Sequence, residues 1–294
     1  MTDYFLYSGD IAYEDYPKFI ELVEGAQSNA DVALVLSTFG GNAEAAYKIG
    51  RCLQSRYENV KIFVPGMCKS AGTILAIAAN ELIFSPSGEL GPLDVQMAKK
   101  DSIAERESGL DMNETFKYLE SRSREMFHEL VEEITQKSDG AISFRTASSF
   151  AARIASSLFN PIFANINPDD IGKRARAMQI AGDYGRRLNL RSENLGDAHY
   201  AIGFLTWGCP SHGFVIDMEE AGMLFRNVRG TDEVEENLVR QFRNPNEETT
   251  MKVITNQFQK NEFKEVESIR GNPKKLKDSQ TTTNERNEES RDKT

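Results

Sequence analysis

Ser70 stands in the run Pro65-Gly66-Met67-Cys68-Lys69-Ser70-Ala71-Gly72-Thr73, between the short β-branched stretch Val60 to Val64 and the Ala-rich stretch Thr73 to Ala79. The first stretch reads as a strand and the second as a helix, so Ser70 falls on a tight turn at a helix N-terminus. Unpaired backbone N–H groups and the positive end of the helix dipole would there stabilise negative charge developing on a substrate oxygen. Ala71 and Gly72 leave room for a substrate backbone. The chemistry this predicts is nucleophilic attack by a serine hydroxyl.

A second turn has the same form. Val32 to Leu36 reads as a buried strand that runs into Ser37-Thr38-Phe39-Gly40-Gly41, before a helix starting near Asn42 or Ala43. Two adjacent glycines permit positive φ and bring backbone N–H groups to an open surface. Alone, such a pair is as readily a simple turn. Beside a second strand, a turn serine and a second helix, it suggests two repeated ββα-like units whose turns face one another.

The Thr38-Phe39-Gly40-Gly41-Asn42 turn, the Lys69-Ser70-Ala71-Gly72-Thr73 turn and the segment Gly88-Glu89-Leu90-Gly91-Pro92-Leu93-Asp94 resemble the serine dehydrogenase proteinase family. That family is related to signal peptide peptidase A and to the peptidase subunit of Clp proteases. The interval from Gly41 to Ser70 is similar to that between the oxyanion glycine and the nucleophile of Clp-type peptidases, and Pro210 to Asp217 is also similar to the family. The resemblance covers about residues 4 to 228. It implies an α/β fold of the Clp/crotonase-like type, a spiral of repeated ββα units with a helical middle region. It also implies serine peptidase activity with Ser70 as nucleophile, an oxyanion hole from the N–H groups of Gly41 and Ala71, a peptide or protein substrate, and a homo-oligomer.

A serine hydroxyl must pass its proton to a base. Lys69 adjoins Ser70, but successive side chains point apart, and solvent contact or packing of its stem is the plainer role. Lys117 opens a segment, Lys117 to Met126, similar to the one after the catalytic lysine of signal peptide peptidase A. A lysine base needs an apolar pocket to lower its pKa. On a helical projection, however, Lys117 shares its flank with Glu120, Ser121, Arg124 and His128, away from the stripe Phe116, Leu119, Phe127, Leu130 and Ile134, so a solvated lysine is an equal reading. His212 opens a segment similar to the one that begins with the acidic triad member of Clp-type peptidases, and a histidine titrates near neutrality unaided. Where the Clp-type histidine would stand, Gly91 to Gln96 contains none, so the ordinary Clp triad is absent. Asp94 would orient a base or stabilise its own turn after Pro92.

The chain has 294 residues and a formal net charge of −10, long enough for a sizeable core and too acidic for a nucleic-acid partner. Three cysteines, Cys52, Cys68 and Cys209, form no CxxC pair and read as reduced thiols, with Cys68 near enough to Ser70 to invite thiol reagents. HExxH and GxGxxG are absent and the three histidines lie far apart, so neither a metal nor any other cofactor is expected. No signal peptide or membrane-length apolar run is visible, which points to the cytoplasm and against membrane contact. The residues name no ATPase partner.

Residues 1–230 are expected to form the peptidase domain, mostly helical over 101–203, followed by a polar extension over 231–270 and a disordered tail over 271–294. In the helical part Ala147, Phe150, Ala151, Ile154, Leu158 and Ile162 share one face, expected to be buried against the core or another subunit, with Pro161 ending the helix. Two other functions fit the same fold: a catalytically inactive oligomeric binding or regulatory protein, and acyl-CoA chemistry with backbone N–H groups holding a thioester enolate. Ser70 at the nucleophile position favours the peptidase over the latter.

Overall fold

A computed structural model describes residues 2–26, 30–93, 97–98, 106–107, 109–246 and 248–253. The elements are β1 (Thr2–Ser8), α1 (Tyr16–Glu24), β2 (Asp31–Ser37), α2 (Ala43–Arg56), β3 (Asn59–Val64), β4 (Met67–Cys68), α3 (Ala71–Ala76), β5 (Glu81–Phe84), β6 (Glu89–Leu90), β7 (Met97–Ala98) and β8 (Arg106–Glu107). They continue with α4 (Gly109–Lys137), α5 (Phe144–Ala164), α6 (Pro168–Ser192), α7 (Ala198–Gly203), a π-helical turn (Phe204–Gly208), α8 (Met218–Leu224), β9 (Val228–Gly230), α9 (Glu233–Val239) and β10 (Thr250–Val253). The fold is therefore mixed α/β, as the alternation of runs predicts.

The main sheet has the order β10-β1-β2-β3-β5-β9, parallel throughout except for the antiparallel edge strand β10. Its central strands are near-continuous apolar runs because both faces are covered. The domain boundary expected at residue 230 has sheet on both sides of it: β10 pairs with β1 through Phe5–Val253 to Ser8–Thr250, and Val239 is buried against Leu6, Val35 and Ile83. Asp94 and the tail over 271–294 lie outside the described residues.

On the other face α2, α3 and α6 pack together. Buried Gln54 donates Nε2 to Ala78 O at 3.1 Å and Leu188 O at 2.9 Å, and Ser192 Oγ donates to Ile77 O at 2.7 Å. The bonds to Ala78 O and Ile77 O satisfy carbonyls just past the C-terminal end of α3 that would otherwise be orphaned by a helix so short, and the bond to Leu188 O ties that end to α6. They also fix the helix that starts immediately after Ser70.

The apolar stripe of α5 divides differently from expectation. Ala147, Ala151, Ala155 and Phe159 are buried, whereas Phe150, Ile154, Leu158 and Ile162 are exposed. Small alanines let α4 approach closely along one side, which leaves the larger side chains of the same broad stripe facing outward. Nor does Pro161 end α5, which runs on to Ala164. Proline removes only one helical hydrogen bond, and the last turn is held by ring contacts of Phe163 with Phe116 and Phe159.

Candidate functional site

Beside the main sheet the chain makes a second, much shorter ladder. Thr38 bridges Cys68, Cys68 pairs with Leu90 in β4–β6, and Leu90 bridges Ile216. Ile11 bridges Gly41 at the near end. Four stretches far apart in sequence are thereby gathered around the start of α3, and each rung is a run of backbone bonds: Thr38 N to Met67 O at 2.8 Å, Lys69 N to Thr38 O at 3.0 Å, and Leu90 N to Ile216 O at 2.9 Å.

Ser70 is the residue before α3, with φ 51° and ψ −109°, and is 6% exposed. A non-glycine residue at positive φ is held there against an intrinsic cost of about 1–3 kcal/mol, and such outliers concentrate at functional sites. The turn is over-determined by its neighbours: Gly72 N donates to Lys69 O at 2.8 Å, Thr73 N to Ser70 O at 2.9 Å, and Ile74 N to Ser70 O at 3.2 Å. Gly72 admits no side chain, since a Cβ would lie 2.5 Å from Thr38 Cγ2 and 2.9 Å from Cys68 Sγ.

The double-glycine turn lies against this serine. Gly40 and Gly41 have φ of +117° and +134°. Gly40 O accepts from Ile11 N at 2.8 Å and Asn42 N donates to Ile11 O at 2.7 Å, so both groups flanking Gly41 turn towards Ile11. Across the trans Gly40–Gly41 peptide this directs Gly41's own N–H away from Ile11. Thr38 Oγ1 accepts from Gly40 N at 3.0 Å and braces the turn from within. Ala71 supplies the first N–H of α3, a position with no intrahelical acceptor.

Of the proposed bases, His212 is half-buried in the segment that Ile216 ties to Leu90, and Phe214, two residues on, gives its carbonyl to Lys69. Lys117 is exposed on α4.

Two expectations next to Ser70 are corrected. Lys69 is neither in solvent nor merely packed along its stem: it is 9% exposed, paired with Glu89 Oε1 at 3.1 Å, and donates to Leu90 O at 3.1 Å and Phe214 O at 3.2 Å. Cys68 is fully buried, and burial pushes its thiol far above the usual range, which removes the thiolate that reagents attack. Thr38, Thr73 and Glu89 were not legible as site residues. Thr73 Oγ1 donates to Gly91 O at 2.8 Å and Glu89 holds Lys69, so both join the Gly88–Gly91 segment to the Ser70 turn. The signal available for Glu89 was an acid between two glycines, facing a turn that carries a lysine.

Residues 8–108 match the model of the ClpP-like SDH-type serine proteinase family, so the resemblance carried by the turns holds over that segment. Two uncharacterised proteins of Methanocaldococcus jannaschii are 29% and 26% identical to this chain over 89 residues, 30% of this chain in each case. The matches span 31% and 30% of the lengths of these two relatives. Two structures of a 1510-N membrane-bound stomatin-specific protease, one with a substrate peptide, are each 18% identical and cover 51% of this chain. They cover 69% and 65% of those chains, at TM-scores of 0.28 and 0.29, too low to bear on the site. No helix among the described residues is long and apolar enough to cross a membrane.

Proposed function

Taking residues 8–108 as a segment of the ClpP-like SDH-type serine proteinase family, we propose that this protein is a serine peptidase with Ser70 as its nucleophile. The observation that carries the reading is Ser70 at positive φ at the head of α3, against the double-glycine turn. We read the main sheet and the short ladder together as the spiral of ββα units that this family's fold implies.

In the proposed reaction Ser70 Oγ forms a bond to the peptide carbonyl carbon while its proton passes to a base. The carbonyl oxygen becomes an oxyanion, stabilised by the N–H groups of Gly41 and Ala71. Collapse breaks the C–N bond, the amine leaves with a proton, and water hydrolyses the acyl-serine ester. The base is His212 or Lys117. The docking of residues 214–216 beside Lys69 and Leu90 supports His212, while Lys117 would need a second copy to bury it. A closed homo-oligomer and a cytoplasmic location complete the reading, with the outward face of α5 as the surface available for subunit contact.

Labelling with a fluorophosphonate probe tests this. Wild type is expected to react at one serine and Ser70→Ala to be silent; equal labelling of both refutes the assignment. Wild type that never labels favours the inactive binding or regulatory protein. Side by side, His212→Ala and Lys117→Met identify the base: whichever retains full hydrolysis is eliminated.

A further inference from the structure

Lys69 brings a buried positive charge to within one residue of Ser70. Its Nζ lies 3.1 Å from Glu89 Oε1, 3.1 Å from Leu90 O and 3.2 Å from Phe214 O. A neutral amine has two hydrogens, so three acceptors engage an ammonium with every donor used. Burying an ion is costly unless it is paired and hydrogen-bonded, and an apolar side chain of similar length would fill this space without that cost. The charge therefore calls for a reason beyond packing.

The acceptors supply one. They belong to two segments distant in sequence, β6 and residues 211–216, which also bind each other through Leu90 and Ile216. The backbone of Lys69 holds a third segment, donating from N to Thr38 O at 3.0 Å in the double-glycine turn. The stem runs across Gly91, where a Cβ would stand 2.7 Å from Lys69 Cδ. One residue thus joins three segments distant in sequence to the turn that carries Ser70.

We infer that Lys69 is a positioning residue: its ammonium fixes β6 and the 211–216 segment relative to Ser70. This role rests on the peptidase reading. Lys69 does not receive the serine proton, because its hydrogens are already committed to three acceptors.

The test is the rate of fluorophosphonate labelling per folded chain, followed against pH, for wild type, Lys69→Met, Lys69→Arg and Gly91→Ala, with folding checked by circular dichroism. Lys69→Met is expected to label at least about tenfold more slowly at every pH with its pH midpoint unmoved, since misplacement of reacting groups lowers rates steeply. Lys69→Arg should recover part of the loss. Gly91→Ala keeps the charge and all three acceptors but takes the space of Lys69 Cδ, and should label at an intermediate rate. Labelling of folded Lys69→Met within twofold of wild type overturns the role, as does loss of the pH dependence itself, which would make Lys69 the base. Should Lys69→Met not fold, Gly91→Ala decides on the same twofold criterion. An unlabelled wild type overturns the peptidase reading and this role with it; a labelled wild type beside an unaffected Lys69→Met overturns only the role of Lys69.

Discussion

A β-carbon added to Gly40 would stand 2.8 Å from Ser70 Cβ and 3.3 Å from Ser70 Oγ. The two turns are therefore in direct apposition, and the absence of a side chain at residue 40 is what lets the serine occupy its place. Ser70 is held in a conformation that glycine would adopt freely.

That strain predicts an ordering of stabilities. Both Ser70→Gly and Ser70→Ala remove the hydroxyl, but only alanine must keep a β-carbon at positive φ. Ser70→Gly should be more stable than Ser70→Ala by about 1 kcal/mol, and both should be silent to the fluorophosphonate probe. Denaturant melts of the two variants measure the difference. Equal stability, or the reverse order, would remove the argument that the backbone at Ser70 is strained.

Gly41 is constrained by space as well as by φ. A Cβ there would lie 2.3 Å from Ile11 O, which accepts the Asn42 N–H. Gly41→Pro, which removes the proposed oxyanion donor, should consequently break the Ile11 bridge and lower stability by more than about 2 kcal/mol. Where such a variant still folds, loss of one oxyanion donor is expected to cost about 3 kcal/mol in the transition state. Normal turnover in a folded Gly41→Pro chain would exclude this N–H from the mechanism.

The exposed side chains Phe150, Ile154, Leu158 and Ile162 predict association through α5. Light scattering should give a mass several times the 33.0 kDa of one chain. The double change Ile154→Asp with Leu158→Asp should reduce that mass while circular dichroism stays unaltered, because neither side chain is buried within the protomer. A wild-type monomer at micromolar concentration would refute the assembly.

Arg229 joins the sheet to α9, bonding Glu235 at 2.7 and 2.8 Å and Glu81 at 2.9 Å. The hydrogen bonds from Arg229 hold the Glu235 carboxyl below the ordinary carboxylate range, against the opposing effect of burial. Because the folded value is depressed, the unfolded chain binds more protons in acid. The stabilisation is complete above about pH 4.3 and lost as pH falls through the folded value. Arg229 is partly exposed, so solvent screening keeps the contribution below about 1 kcal/mol. The difference in melting temperature between wild type and Glu235→Gln should shrink from about pH 6 to about pH 3. A difference that grows in acid would contradict the assignment.

Much of this protein was readable from local pattern. The strand before the double-glycine turn, the helix capped by Asn42 and the strand before Ser70 lie where the apolar runs and turn residues put them, because each is decided by neighbours in the chain. A serine between a β-branched run and an alanine-rich run is a statement about adjacent residues, and so is a pair of glycines after a strand. What tertiary structure alone decided is everything that joins segments far apart. Lys69 pointed, by sequence, to solvent; it faces Glu89, Leu90 and Phe214 because the short ladder brings those stretches together. Which edge of the α5 stripe is buried depended on how closely alanines allow α4 to approach, and no projection of α5 by itself contains that distance. Charge pairing and the burial of one face among several apolar ones are set by which segments meet, and that is a property of the folded chain as a whole.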